Sequence, residues 1–305
     1  MRMPKWVAFA ALTTAAAFWG TGFFFGKIAL QELGVAHMLL YRFLFGCLGL
    51  LPFAIRRRMT VRRSDVPLFL LTAALGVPLQ YIVQFEGLAR TTVSHASLMI
   101  GTVPMLLAGA AVLFGGERLD RAGWALLALS TFGALLIAWG ARGGEAVAGQ
   151  PTALGDALVV LSLLAGVAWV LLSKRLLGPE LGYSAFTVNA AVAFMGTALL
   201  AAWVLLLDGL PPVRLSSETW LAVVAPGILV TAIGTLLWNW GLTRVAATQA
   251  AAFVNLDPVV GTLLGVLVLG EALGATAVAG GTLILGAALG LTLRGESPPP
   301  PVTPT

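Results

Sequence analysis

Of 305 residues, 10% are charged and 59% are hydrophobic, and the mean hydropathy is +0.95. A soluble domain carries about 25% charged residues, so a soluble fold is excluded and an all-α integral membrane protein is expected. A lone Cys47 and two distant histidines, His37 and His95, exclude an intrachain disulfide framework and a zinc site of ordinary spacing. No metal or cofactor is therefore expected. The net charge of +5 lies in short loops beside apolar runs, so the expected partner is the lipid bilayer and not nucleic acid.

A spanning helix takes about 20 apolar residues. Ten windows qualify, at residues 7–29, 35–55, 67–87, 92–115, 122–141, 153–174, 182–207, 218–240, 246–269 and 272–293. They leave no room for a soluble domain. In the first window Ala15–Ala17 resembles a signal-peptide cleavage site, but the apolar run continues through Trp19 to Phe25, so a span is expected. Aromatics crowd this window (Trp19, Phe23, Phe24, Phe25). Trp169 lies in the sixth, and Trp238 and Trp240 flank Asn239 near the end of the eighth. Tryptophans near span ends ordinarily belong to the interfacial belt. Only Trp19 and Trp169 lie deep enough to escape that reading and line a cavity for amphipathic or aromatic solutes.

Arg42 sits in the outer third of the second window. It either binds an anionic group in a cavity, or snorkels to the headgroups, or pairs with Glu86 or Asp257. Gln80 and Gln84, four apart in the third window, form a polar stripe that either faces a cavity or joins helices. Glu86 and Arg90 read as a structural i,i+4 pair. His95 opens the fourth window, either as a substrate or pH-sensing contact or, more simply, bonded to a loop carbonyl. Asp257, mid-span in the ninth window and directly before Pro258, is either a cavity carboxylate able to exchange protons or a carboxylate paired with a neighbouring helix. Asn255 can share a cavity with Asp257 only where that helix is distorted.

One block occurs twice. Gly87-Leu88-Ala89-Arg90 through Pro104 to Gly116-Glu117 falls on Gly241-Leu242-Thr243-Arg244 through Pro258 to Gly270-Glu271 after a shift of 154 residues without a gap. Five spans separate the copies, so they run in opposite directions through the membrane. The expected fold is ten transmembrane helices in two inverted five-helix repeats around a central cavity. Residues 1–141 form the first repeat, 142–152 an extracytoplasmic linker, 153–293 the second repeat and 294–305 a Pro-rich disordered tail. Pro104 and Pro258, equivalent in the two copies, are the expected hinges. Glu117 and Glu271, kept in both, read as architectural. Thirteen Lys and Arg residues fall on one side and four on the other, which puts both termini in the cytoplasm of a cell (inner or plasma) membrane.

The Trp19-Gly20 pair followed by Lys27, Arg42 opening the second span, and the two Pro…Gly-Glu blocks resemble the EamA family of the drug/metabolite transporter superfamily, over about residues 8–293. The resemblance implies ten helices in two inverted repeats, a central cavity, and export or exchange of small metabolites, with amino-acid exporters among the members. It also favours a substrate role for Lys27, which is otherwise an ordinary interface anchor at a helix end. The expected substrate site is Trp19, Phe23, Lys27, Arg42, Gln80, Gln84, Trp169, Asn255 and Asp257. The expected function is secondary export of small organic metabolites, amino acids or amphipathic solutes included, by alternating access with proton exchange, as a monomer or homodimer. The alternatives are a non-transporting scaffold or sensor and an intramembrane enzyme. No Walker loop, paired-Asp pattern or His-rich metal box is present, so an enzyme is not expected.

Overall fold

The computed structural model describes residues 5–103, 105–107, 109–110, 120–140, 151–244, 253–254 and 256–294. Among these residues the fold is all-helical. The helices are α1 (Lys5–Gly20), α2 (Gly22–Ala29), α3 (Val35–Arg56), α4 (Val66–Ala74), α5 (Gln80–Ala89), α6 (Val93–Ile100), α7 (Arg121–Gly140), α8 (Ala153–Leu177), α9 (Ala185–Leu207), α10 (Ser217–Pro226), α11 (Thr235–Leu242), α12 (Leu256–Leu267) and α13 (Ala275–Arg294). Six continuous stretches are long and apolar enough to cross a membrane: Trp6–Ala29, Val35–Arg56, Arg63–Ala89, Ala153–Leu177, Ala185–Leu207 and Ser217–Gly241. Shorter apolar helices include Arg121–Ile137, Leu256–Leu267 and Ala275–Gly290. Pro104, Asn255 and Glu117, the linker over 142–150 and the tail over 295–305 lie outside the described residues.

Polar side chains set the helix starts. The hydroxyls of Thr92, Thr152, Ser184 and Ser216 each accept a hydrogen bond from the backbone N–H three residues on, at 3.0–3.2 Å, satisfying donors that the first turn leaves open. At the end of α9, Gly209 takes φ +80° and its N–H reaches the Val204 carbonyl at 3.0 Å, a left-handed terminus that suits glycine.

Two spans depart from regular α-helix where proline removes a backbone donor. Leu75–Leu79, containing Pro78, and Gly227–Gly234, directly after Pro226, are π-helical. A shift of 154 residues lays the first inside the second, so the doubled block extends to a shared backbone distortion. The fourth expected span is also interrupted: α6 stops at Ile100 and residues 101–102 form a turn.

Packing between the halves is reciprocal. α5 lies on α8 as α11 lies on α1, and α3 packs on the Gly227–Gly234 segment as α9 packs on Leu75–Leu79. α6 meets α12, and α7 meets α13. The α7–α13 crossing is a close backbone approach. A Cβ on Gly133 would stand 2.7 Å from the Gly280 carbonyl oxygen, and one on Gly280 would stand 2.5 Å from that of Gly133. Gly280→Val is therefore expected to separate the pair and destabilise the protein by about 1–3 kcal/mol, the usual range for overpacking. A melting temperature in detergent equal to that of the parent would count against this contact.

Candidate central cavity

The two π-helical segments and the helices around them leave a cavity of about 180 Å³ in the middle of the bundle. One water occupies roughly 10–15 Å³ by this measure, so a small organic solute fits. Its lining includes Trp19, Phe23, Arg42, Tyr81, Phe85, Trp169 and Trp238, the amides Gln80, Gln84, Asn189 and Asn239, and Thr231 and Asp257.

Each polar group is placed by local backbone. Gln80 and Gln84 follow the first π segment on one face of α5, and Gly166 of α8 gives the Gln80 amide its room: a Cβ there would come within 3.0 Å of Nε2. Trp169 of α8 lies over Gly76, where a Cβ would clash at 2.3 Å. Trp19 and Trp238 form a tilted pair with ring centroids 4.9 Å apart. Asn189 donates to the Ala232 carbonyl at 3.4 Å, inside the second π segment.

Arg42 is 2% exposed. Its guanidinium carbon lies 4.8 Å from the Tyr81 ring centroid, 5.5 Å from Phe85 and 5.7 Å from Phe43. Its Nε donates to the Thr231 hydroxyl at 3.4 Å. These aromatic faces attract the cation and hold the planar group in one attitude. Arg42 forms no ion pair with a described residue: Glu86 pairs with Arg90 instead, both roughly half-exposed. Asp257, in the first turn of α12 and buried, has neither a hydrogen bond nor an ion pair from its carboxylate to a described residue. Among the described lining residues the cavity thus has one cation and one carboxylate, with no ion pair between them. Pro258 is buried beside Asp257, and the Asp257 carbonyl presses on Gly20 so closely that a Cβ there would stand 2.7 Å away.

Of the expected site residues, the structure brings together Trp19, Phe23, Arg42, Gln80, Gln84, Trp169 and Asp257. Lys27 is not among the lining residues. Its ammonium donates to the carbonyls of Leu88 at 3.0 Å and Thr91 at 2.6 Å, fastening α2 to the end of α5.

Two departures from the sequence reading concern residues judged by position along a span. Trp238, placed in the interfacial belt, lines the cavity and is 6% exposed, packed against Trp19. His95 bonds the carboxylate of Asp156, not a loop carbonyl. Asp156, which the sequence reading did not single out, lies one turn from a span end and is 0% exposed. Asn189 and Asn239 were also missed as lining residues, although lone amides inside apolar spans are the signal that finds such positions. Glu271 is architectural as expected: its carboxylate accepts from the backbone N–H groups of Val93 and Ser94, each at 2.7 Å.

The pattern of the EamA-like transporter family matches residues 5–139 and again residues 153–293. An uncharacterized transporter of Archaeoglobus fulgidus is 30% identical over 258 residues, covering 83% of this chain and 86% of that protein. A probable terminal-alkyne amino-acid exporter of Streptantibioticus cattleyicolor is 27% identical over 299 residues, covering 93% and 92%. A solved structure described only as the crystal structure of a protein superposes with TM-score 0.67 at 23% identity, covering 94% of this chain and 96% of that one, a likeness of fold. With a multi-pass apolar bundle closed around a polar-dotted cavity, and a family pattern met once in each half, the chain belongs to the EamA-like transporter family.

Proposed function

We propose that this protein is a secondary transporter that exports small zwitterionic or amphipathic metabolites, amino acids among them, from the cytoplasm across the cell membrane, by alternating access of two inverted five-helix repeats. The observation that carries the reading is the cavity itself, in which Arg42 and Asp257 are both buried and unpaired with each other. A buried charge without a counter-charge is costly. A solute that offers a carboxylate to Arg42 and an ammonium to Asp257 satisfies both, and the Trp19, Trp169 and Trp238 faces take its apolar part. A proton on Asp257 substitutes for the ammonium when the cavity is empty, which links solute movement to proton movement. The reciprocal packing of the halves and the matched π segments support inverted repeats that rock about the cavity. The exporter activity named for the Streptantibioticus relative supports the cargo class.

A non-transporting scaffold has no use for buried opposite charges facing a cavity, and no described lining residue resembles a nucleophile with its base. The test is flux in proteoliposomes loaded with a panel of amino acids and aromatic metabolites, with and without a pH gradient. The parent is expected to move at least one zwitterionic solute faster when a gradient is imposed. Asp257→Asn is expected to insert normally and to lose the gradient dependence. Gradient-dependent flux that persists unchanged in Asp257→Asn removes the carboxylate from the coupling, and an absence of any solute movement by the parent removes transport.

A further inference from the structure

One wall of the cavity is an interlock of two chain segments. The stretch from α4 through the first π segment to α5 runs antiparallel to α8, with Gly76 against Trp169, Gln80 against Gly166 and Gly87 against Val159. A Cβ on Gly76 would stand 2.7 Å from Cγ of the Trp169 indole and 2.9 Å from its Nε1, and closer still to Cδ1. Four residues on, the relation reverses: a Cβ on Gly166 would stand 3.0 Å from the Gln80 amide nitrogen and 3.1 Å from its carbon. Each segment thus seats one large side chain on a glycine of the other. In the opposite direction along α8, Trp169 packs against the buried cluster that contains Phe69, Ala73 and Leu176.

Gly76, Gln80, Gly166 and Trp169 all line the cavity. The indole is bounded along α8 by the Gln80–Gly166 contact on one side and by the Phe69–Leu176 cluster on the other, and it rests on the backbone of Gly76. A close-packed surrounding transmits a displacement instead of absorbing it. A methyl at position 76 therefore moves the indole off this wall into the space that is free, the cavity. The backbone does not require the glycine. Gly76 lies inside a helical segment and is not among the residues with positive φ, and alanine is the best of helix formers. At the position 154 residues on, the second π segment carries Val230. The side chain lying opposite, and not the π geometry, excludes a Cβ at position 76.

We infer that Gly76 is a specificity-determining position: it lets the Trp169 indole lie back against the wall and thereby sets how large an apolar group the cavity admits. With glycine there, the cavity takes solutes whose apolar part reaches the size of an aromatic ring. With alanine there, the displaced indole leaves room for small solutes only. Gly76 acts through Trp169 and is a positioning residue. The inference rests on the transport reading and deepens it, by assigning the size limit of the solute to one contact between the two halves of the chain.

The test is a size series of alanine, leucine, phenylalanine and tryptophan, measured as initial flux through the full chain in proteoliposomes, each divided by the alanine flux of the same variant. In Gly76→Ala the phenylalanine and tryptophan ratios are expected to fall at least about tenfold, since one methylene in an apolar pocket already discriminates by roughly 10- to 200-fold. Damage to the fold would lower all four fluxes together and leave the ratios in place. Gly76→Ala with Trp169→Phe keeps an aromatic face but gives the added methyl its room, and is expected to return the ratios toward those of the parent. Trp169→Phe alone needs no room at position 76 and is expected to raise the tryptophan ratio, which keeps the inference open to refutation where Gly76→Ala does not insert. Unchanged ratios in Gly76→Ala overturn the inference, as does a fall that persists in the double variant, or a tryptophan ratio that does not rise in Trp169→Phe. A parent that moves alanine alone also overturns it and leaves transport standing. A parent that moves none of the series, nor any other solute, removes the transport reading and this inference with it.

Discussion

Asp156→Ala is expected to lower the stability of the folded protein by about 1–3 kcal/mol for each buried polar group it leaves without a hydrogen-bond partner. The carboxylate accepts from the Thr91 hydroxyl and faces His95 Nδ1 at 3.0 Å, with no exposed surface of its own. Alanine leaves an imidazole and a hydroxyl buried without partners at the junction of α5, α6 and α8. Asparagine retains the shape and one acceptor, so Asp156→Asn is expected to cost clearly less. Thermal unfolding in detergent at neutral pH separates the two. Equal melting temperatures for the parent and Asp156→Ala would show that water or a rearranged neighbour replaces the carboxylate, and the junction would then contribute little to stability.

Arg42→Met is expected to reduce flux of carboxylate-bearing solutes by roughly 10- to 150-fold, from the loss of charge-assisted hydrogen bonds worth about 1.5–3 kcal/mol. Methionine matches much of the arginine stem and its sulfur packs well against rings, so the contacts with Tyr81, Phe85 and Phe43 persist in part and the melting temperature is expected to stay near that of the parent. Arg42→Lys keeps the charge but loses the flat group that those rings hold, and is expected to fall between parent and Arg42→Met. The measurement is initial flux in proteoliposomes, with an uncharged aromatic solute as the control. Equal losses for the control and the carboxylate-bearing solutes would make Arg42 a packing residue and not an anion site.

Much of the site was legible because charges and amides inside apolar spans are conspicuous. Arg42, Asp257, Gln80 and Gln84 stand out in that way, and the structure places all four on one cavity. Depth along a span selected Trp19 and Trp169 by the same logic. It misjudged Trp238, because hydropathy does not report which way a helix face is turned, and here Trp238 packs on Trp19 of another helix. Lys27 has the same appearance in sequence as a substrate contact or an anchor. The carbonyls of Leu88 and Thr91 that hold it come from a different helix, so only the folded chain distinguishes these roles. Asp156 was the costliest omission. One turn inside a span an acid ordinarily reaches water, and here α5 and α6 cover it.

Sequence alone determined that the chain is helical, that it lives in a bilayer, and that its two halves share a block, because apolar run length, charge density and a fixed offset are properties of a string. It also determined that the charges within the spans are few and need partners. The tertiary structure decided which partners they have. Arg42 is held by aromatic rings, Asp257 has no partner among the described residues, Asp156 and His95 share a buried junction, and Glu271 caps a helix 177 residues away in sequence. Those choices depend on how helices rotate and approach at their glycine contacts, and no local pattern along the chain encodes that geometry.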